Sequence, residues 1–274
     1  MQGLENASNT TNTATEAHLY ASIYRTVYIG CVGEYLNIKK SGSVLVVSLQ
    51  QELAIECNDQ AQPLMSKCVL VPAETSVKLH THNALIAIYF MDYLGRDLHA
   101  LSKHAQPVTL HSYGRVYAKL PEEQAFVECL LNIYQSKPSG QSVYQMLSAL
   151  YDHSDSDKHV DPRIEKVIDY IRFGEGLACE LPELAAYVNL SVPRFSQLFK
   201  QVTGTNVRRF KIWWRTYLIT ANLASGLSFA EAAHAAGFSD YAHFSRSFLE
   251  MSGVNPSVMF HRAKRLHLDI FQPH

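Results

Sequence analysis

Gly237-Phe238-Ser239-Asp240-Tyr241-Ala242-His243-Phe244-Ser245-Arg246-Ser247-Phe248 is the stretch that decides how this 274-residue chain is read. The glycine can end one helix, Asp240 can cap the next, and Phe244 and Phe248, four apart, put both rings on one helical face, with Met251 continuing it. Just upstream, Ser228-Phe-Ala-Glu231 has the form of a capping box that opens a short alanine-rich helix. The same plan occurs with its turn 48 residues earlier. A short helix from Pro182 carries Leu184, Ala185 and Val188; a tight turn follows at Asn189; Ser191 then caps a helix whose inner face is Phe195, Leu198, Phe199 and Val202, stopped at Thr203-Gly204. A short helix joined to a longer one by a tight turn is the helix-turn-helix plan, whose second helix can enter a DNA major groove. The intervening helix carries Phe210, Trp213, Trp214, Tyr217, Leu218 and Ala221. Joined by it, two such units could address successive major grooves, about 34 Å apart. Periodicity alone fits an ordinary helical bundle equally well.

Working outward, Asp161-Pro162 reads as an N-cap with proline at the first helical position, ahead of the stripe Ile164, Val167, Ile168 and Ile171. Charge separates the chain. Residues 190–265 hold ten Lys and Arg against three Asp and Glu, although the whole chain has a net charge of −1, and a basic region of this kind suits a polyanion. Residues 152–158 (DHSDSDK) read as a linker. Before them, Ser43–Leu49, Lys67–Val71 and Ala84–Met91 are apolar runs of strand length separated by turn signals, and Ala125–Leu150 reads as a helical hairpin broken at Lys137-Pro138-Ser139-Gly140. The expected fold class is α+β. A tail (1–18) rich in Asn, Thr and Ser precedes a β-barrel or sandwich with its hairpin (19–151); a linker (152–160) and an all-α domain with two helix-turn-helix units (161–265) complete it.

The residues that carry this plan resemble the C-terminal domain of AraC/XylS-family transcription regulators. They are Leu181-Pro-Glu-Leu-Ala-Ala186, Ser191 with Phe195 and Phe199-Lys200, Gly204, Arg215, Glu231-Ala-Ala, Gly237-Phe-Ser-Asp240, His243-Phe244-Ser-Arg246 with Phe248, and Gly253 with Pro256-Ser257. The likeness spans about 100 residues in order. It departs at Met259-Phe260, where an aromatic followed by a basic residue is usual and the basic Arg262, Lys264 and Arg265 come later, and at Ile219, where alanine is usual. The resemblance places DNA-reading side chains at Pro193, Arg194, Ser196 and Gln197, and at Tyr241, Ala242, His243 and Arg246. Gln197 suits adenine, and Arg194 and Arg246 suit guanine or phosphate. Lys200, Arg208, Arg209 and Lys211 are read as phosphate contacts and Arg215 as part of a structural pair. It further implies a cupin-like N-terminal domain that senses a small-molecule effector, a homodimer, and an activator that contacts RNA polymerase.

In the N-terminal half, His80-Thr-His82 would point both imidazoles to one face of a strand, as a two-histidine metal site or as polar lining of an effector pocket. No carboxylate stands four or five residues beyond His82, and His99, His104 and His111 are the remaining imidazoles in reach, so no metal or cofactor is expected. A metal-dependent cupin enzyme with an appended helical domain, and a ligand-independent regulator, are the alternatives. Nucleotide-binding and hydrolase motifs are absent, and the chain is not expected to be an enzyme. Five cysteines without a CxxC pair read as small buried hydrophobes in a reducing compartment, with Cys31, Cys57 and Cys68 as alternative oxidant sensors. The longest apolar run, eight residues, is too short to span a membrane, and a cytoplasmic location is expected.

Overall fold

The computed structural model describes residues 16–39, 42–56, 63–91, 93–94, 96–110, 114–151, 160–260 and 266–272, except the side chains of residues 110, 251, 259 and 260. The tail up to residue 15, the linker at 152–159, Cys57, His111 and the basic residues of 261–265 lie outside the described residues, as do the side chains of Met251, Met259 and Phe260.

The described residues between 16 and 118 form β1 (Ala17–Ala21), β2 (Thr26–Cys31), β3 (Tyr35–Lys39), β4 (Val44–Ser48), β5 (Leu53–Ile55), β6 (Leu64–Ser66), β7 (Cys68–Val71), β8 (Ser76–His80) and β9 (Leu85–Phe90), then helix α1 (Arg96–Ser102), β10 (Gln106–Leu110) and β11 (Gly114–Ala118). The hairpin α2 (Glu123–Ser136) and α3 (Gly140–Ser148) follows. The helical half holds α4 (Pro162–Phe173), α5 (Leu181–Tyr187), α6 (Val192–Thr203), α7 (Val207–Ala224), α8 (Phe229–Ala235), α9 (Tyr241–Ser252) and α10 (Pro256–Phe260), and the chain then returns as strand β12 (Leu266–Ile270).

Two sheets result, with orders β10-β11-β7-β4-β9-β2-β1-β12 and β3-β8-β5-β6. They stack as a sandwich and are not closed into a barrel. Position in this stack explains the sequence pattern. In β4 and β9 Val44, Val46, Ile86 and Ile88 point into the core between the sheets, while Leu45, Val47, Ala87 and Tyr89 point the other way, into a second core under α2 and α3. Covered on both faces, these strands read as unbroken apolar runs. β3 alternates exposed and buried positions because solvent bathes its outer face. Ser139 caps α3, its Oγ accepting from Ser142 N, and Lys137 ends α2 in the left-handed region.

β1 starts at Ala17, inside the span read as tail, and pairs in parallel with β12 from Ala17↔Leu266 to Ala21↔Ile270. Asp269 Oδ2 accepts from Gly140 N at 2.8 Å, and Phe271 lies where a Cβ on Gly140 would come within 2.2 Å of its ring. Beneath this strand pair His18 is fully buried, stacked on Tyr134 with centroids 4.7 Å apart and edge-on to His267, and neither of its ring nitrogens has a hydrogen-bond partner. Burial lowers its pKa to about 4; nearby Glu16 only partly opposes this, and His267 and Lys137 push the same way. A histidine held neutral in the fold and protonated in the unfolded chain stabilises the fold above pH 6.5, and that contribution is lost as pH falls from 6.5 towards 4. The shift corresponds to about 3 kcal/mol. Denaturant midpoints for the wild type should fall across this window, and those of His18→Phe should fall less steeply. Equal slopes would place the titrating group elsewhere.

Candidate nucleic-acid interface

All but one of the expected caps form as local hydrogen bonds. Asp161 accepts from Arg163 N and Pro162 opens α4. The box at Ser228 and Glu231 is present in both directions, and its hydrogen bonds hold the Glu231 carboxyl below its usual pKa. Asp240 Oδ1 accepts from His243 N at 2.7 Å, starting α9. Asn189 turns at φ 54 and Gly237 at φ 82, so the two tight turns fall where the sequence put them. Ser191 stands at the N-cap of α6 without a side-chain cap bond. Glu180 and Glu183 form a further capping box at α5.

Both units bury their aromatic stripe. Phe195 and Phe199 lie 5.8 Å apart, centroid to centroid, in a core with Ile164, Ile168 and Trp214; Phe244 and Phe248 lie 5.4 Å apart in the core shared with α8 and the sandwich. Helical geometry then turns the other faces outward. In α6, Pro193, Arg194, Gln197 and Lys200 are exposed and Ser196 is half-buried; Arg194 Nη1 donates to Gln197 Oε1 at 3.1 Å. In α9, Tyr241, Ala242 and Arg246 are exposed. His243 is half-buried, with its Nδ1 3.2 Å from Ser239 Oγ and its ring edge-on to Phe238.

The residues read as phosphate contacts divide. Lys200 and Arg208 are exposed. Arg209 faces the N-terminal half, pairing with Glu74 and lying 3.8 Å from Glu250, and Thr205 Oγ1 donates to the same Glu74 carboxylate at 3.3 Å. Lys211 Nζ donates to the carbonyls of Leu177 and Cys179, and burial lowers its pKa. The structural pair expected for Arg215 is not found among the described residues; its side chain packs under Gly237 and its Nε is buried without a partner.

The two halves touch at further points. Gly253, at φ 74, closes α9 against β3, where a Cβ would stand 2.4 Å from Asn37 O. Arg172 of α4 donates to Ile23 O and sets its guanidinium over Tyr93, Tyr24 and Trp214, 4.4, 5.0 and 5.4 Å from the ring centroids. Two cavities flank Tyr93 and Leu94. One, of about 530 Å³, lies between Met91, Leu98 and Pro72 on one side and Arg208, Phe210 and Trp213 on the other. The second, of about 420 Å³, lies between Tyr24, Arg25, Tyr93, Leu94, Arg96 and Tyr144 and one face of α4.

His80 ends β8 and His82 lies in a turn at φ 52, so the two do not share a strand face, although their rings still lie 6.0 Å apart, centroid to centroid. His80 Nε2 instead meets Glu56 Oε1 at 2.6 Å, and neither histidine lines either cavity. Among the described residues no three His, Cys, Asp or Glu side chains come close enough to hold a metal ion, and no helix is long and apolar enough to cross a membrane. Cys68 is fully buried and burial raises its thiol pKa, whereas Cys31 is half-buried, its Sγ 3.3 Å from Asn83 O.

No curated protein matches the chain in sequence. Among solved structures, the apo form of a ToxT point variant from Vibrio cholerae is similar in fold, with TM-score 0.53 and 10% identity over 86% of this chain and 96% of that one. Unsaturated fatty acid-bound wild-type ToxT from the same organism gives TM-score 0.50 and 10% identity over 85% and 93%. Residues 184–262 match the helix-turn-helix domain family. Residues 184–262 therefore form a helix-turn-helix domain of the AraC type that the sequence motifs resemble.

Proposed function

We propose that the chain is a one-component transcription regulator that reads two successive major grooves and responds to a small molecule. One observation carries this reading: two helix-turn-helix units, each with its phenylalanine pair buried and the polar face of α6 or α9 exposed, are joined by the 18-residue α7. At 1.5 Å per residue α7 is about 27 Å long, commensurate with the ~34 Å between successive grooves on one face of a duplex. Base reading is assigned to Arg194, Gln197 and Arg246 with Pro193, Ser196, Tyr241, Ala242 and His243 beside them, and phosphate contact to Lys200 and Arg208.

The sandwich with its hairpin (19–151) acts as the sensing and dimerising domain of cupin-like type, and 161–265 as the DNA-binding domain. The 530 Å³ cavity is assigned to the effector because its walls come from both halves: a ligand there contacts the sandwich and the start of α7 together. Such a ligand shifts the placement of the DNA-binding domain by as much as its affinity differs between the two arrangements. Its mixed apolar and polar walls, with Arg208 free to turn from DNA phosphate to the cavity, suit an amphipathic carboxylate, in keeping with the fatty acid bound by the similarly folded ToxT. In the active arrangement a homodimer contacts RNA polymerase and activates.

Selection from random duplexes at near-physiological salt tests the DNA reading. Two enriched blocks one helical turn apart are expected, one lost on altering the exposed face of α6 and the other on altering that of α9. Failure to enrich any sequence, with and without candidate amphiphiles, would sink it.

A further inference from the structure

The second cavity has a charge distribution that the DNA reading leaves unexplained. Its walls come from different halves of the chain. The N-terminal wall supplies Arg96 and Arg25, with Tyr24 and Tyr144; α4 supplies Glu165 and Asp169, one helical turn apart on the same face. Arg25 is already held by Asp97, its Nε 2.7 Å from Oδ2, and its Nη1 lies 3.2 Å from Ser148 Oγ. Arg172 is held in its aromatic cage. Among the described residues Arg96, Glu165 and Asp169 form no ion pair, although they border one cavity of about 420 Å³. Opposite charges on facing walls, separated by a gap they do not close, match a ligand that carries both charges. Tyrosine rings on the same walls supply flat apolar surface.

We infer that this cavity is a binding site for a zwitterionic aromatic molecule, an aromatic α-amino acid or a close relative. Its carboxylate would meet Arg96, its ammonium would meet Asp169 and Glu165, and its ring would lie against Tyr24 and Tyr144. The site lies on the opposite side of Tyr93-Leu94 from the cavity assigned to the effector and uses none of the DNA-reading residues, so it stands or falls independently of the proposed function. A ligand there would tie α4 to the sandwich.

Calorimetric titration of the full chain with three probes sharing one ring tests the assignment: L-phenylalanine, 3-phenylpropionate, which lacks the ammonium, and phenethylamine, which lacks the carboxylate. L-phenylalanine is expected to bind at least tenfold more tightly than either singly charged probe. Glu165→Gln with Asp169→Asn, both at exposed positions, is expected to weaken it at least tenfold, with ligand-free thermal unfolding lowered only by the lost attraction between Asp169 and Arg172, and Arg208→Ala in the other cavity is expected to leave it alone. No binding of L-phenylalanine, equal binding of all three probes, or binding that survives the Glu165→Gln/Asp169→Asn pair would each overturn the inference. If the pair unfolds the chain, Arg96→Gln serves as the second variant: it should weaken L-phenylalanine and 3-phenylpropionate but not phenethylamine, and unchanged binding of L-phenylalanine would overturn the inference as well.

Discussion

Arg194→Ala combined with Arg246→Ala is expected to weaken binding to the selected duplex by about 2–6 kcal/mol, each base contact being worth about 1–3 kcal/mol. The effects should add, because the two arginines stand on different helices with separate cores and share no partner. Each single change should relax preference in one block only. Arg194 also restrains Gln197 through their 3.1 Å hydrogen bond, so Arg194→Ala should blur one neighbouring position as well. Competition binding against single-mismatch duplexes reads this out. A uniform loss on every sequence would reassign the residue to phosphate contact, and no loss would remove it from the interface.

The largest effect on stability is expected from Asp97→Ala. Asp97 is fully buried; it accepts from Arg25 Nε at 2.7 Å and Nη2 at 2.5 Å and from the Tyr151 hydroxyl at 2.9 Å, and Tyr151 in turn meets Tyr89 at 3.0 Å. Removing the carboxylate leaves a nearly buried guanidinium facing two tyrosine hydroxyls with no counter-charge, a change that costs about 3–5 kcal/mol. Burial, with Tyr89 and Asp97 beside it, already pushes the Tyr151 pKa well up, so the phenol cannot supply the missing charge at neutral pH. Chemical denaturation should show the loss. Arg25→Met in the same background should recover part of it, because the stranded charge is then gone; if the double variant is no more stable than Asp97→Ala alone, charge burial is not the cause.

What could be read from the chain was local. The capping box at Ser228, the caps at Asp161 and Asp240 and the left-handed turns at Asn189 and Gly237 depend on residues within four positions of one another, and each formed where the pattern placed it. The doubly buried β4 and β9 announced themselves as apolar runs. Long-range features left no such mark. β12 is five residues whose pairing partner lies 249 positions earlier, and nothing in Leu-His-Leu-Asp-Ile names β1. Arg209 carries the charge of a phosphate contact, but Glu74, 135 residues away, draws it inward. His82 failed the strand reading because the backbone turns left-handed one residue after His80-Thr81, which a two-residue alternation cannot foresee. The exposed faces of α6 and α9 were legible because burying the phenylalanines turns the polar side chains of the same helices outward.

The return of the chain to β1 has a mechanical meaning. The helical half leaves the sandwich after Tyr151 and is stitched back to it at Leu266, so it is fastened at both ends. Pinned at both ends and packed through Phe244 and Phe248 against the sandwich, it is placed by three fastenings, where a domain on a single leash could wander. Shortening the chain before residue 266 would remove one pin and leave the β1 backbone as a bare edge open to pairing with another chain.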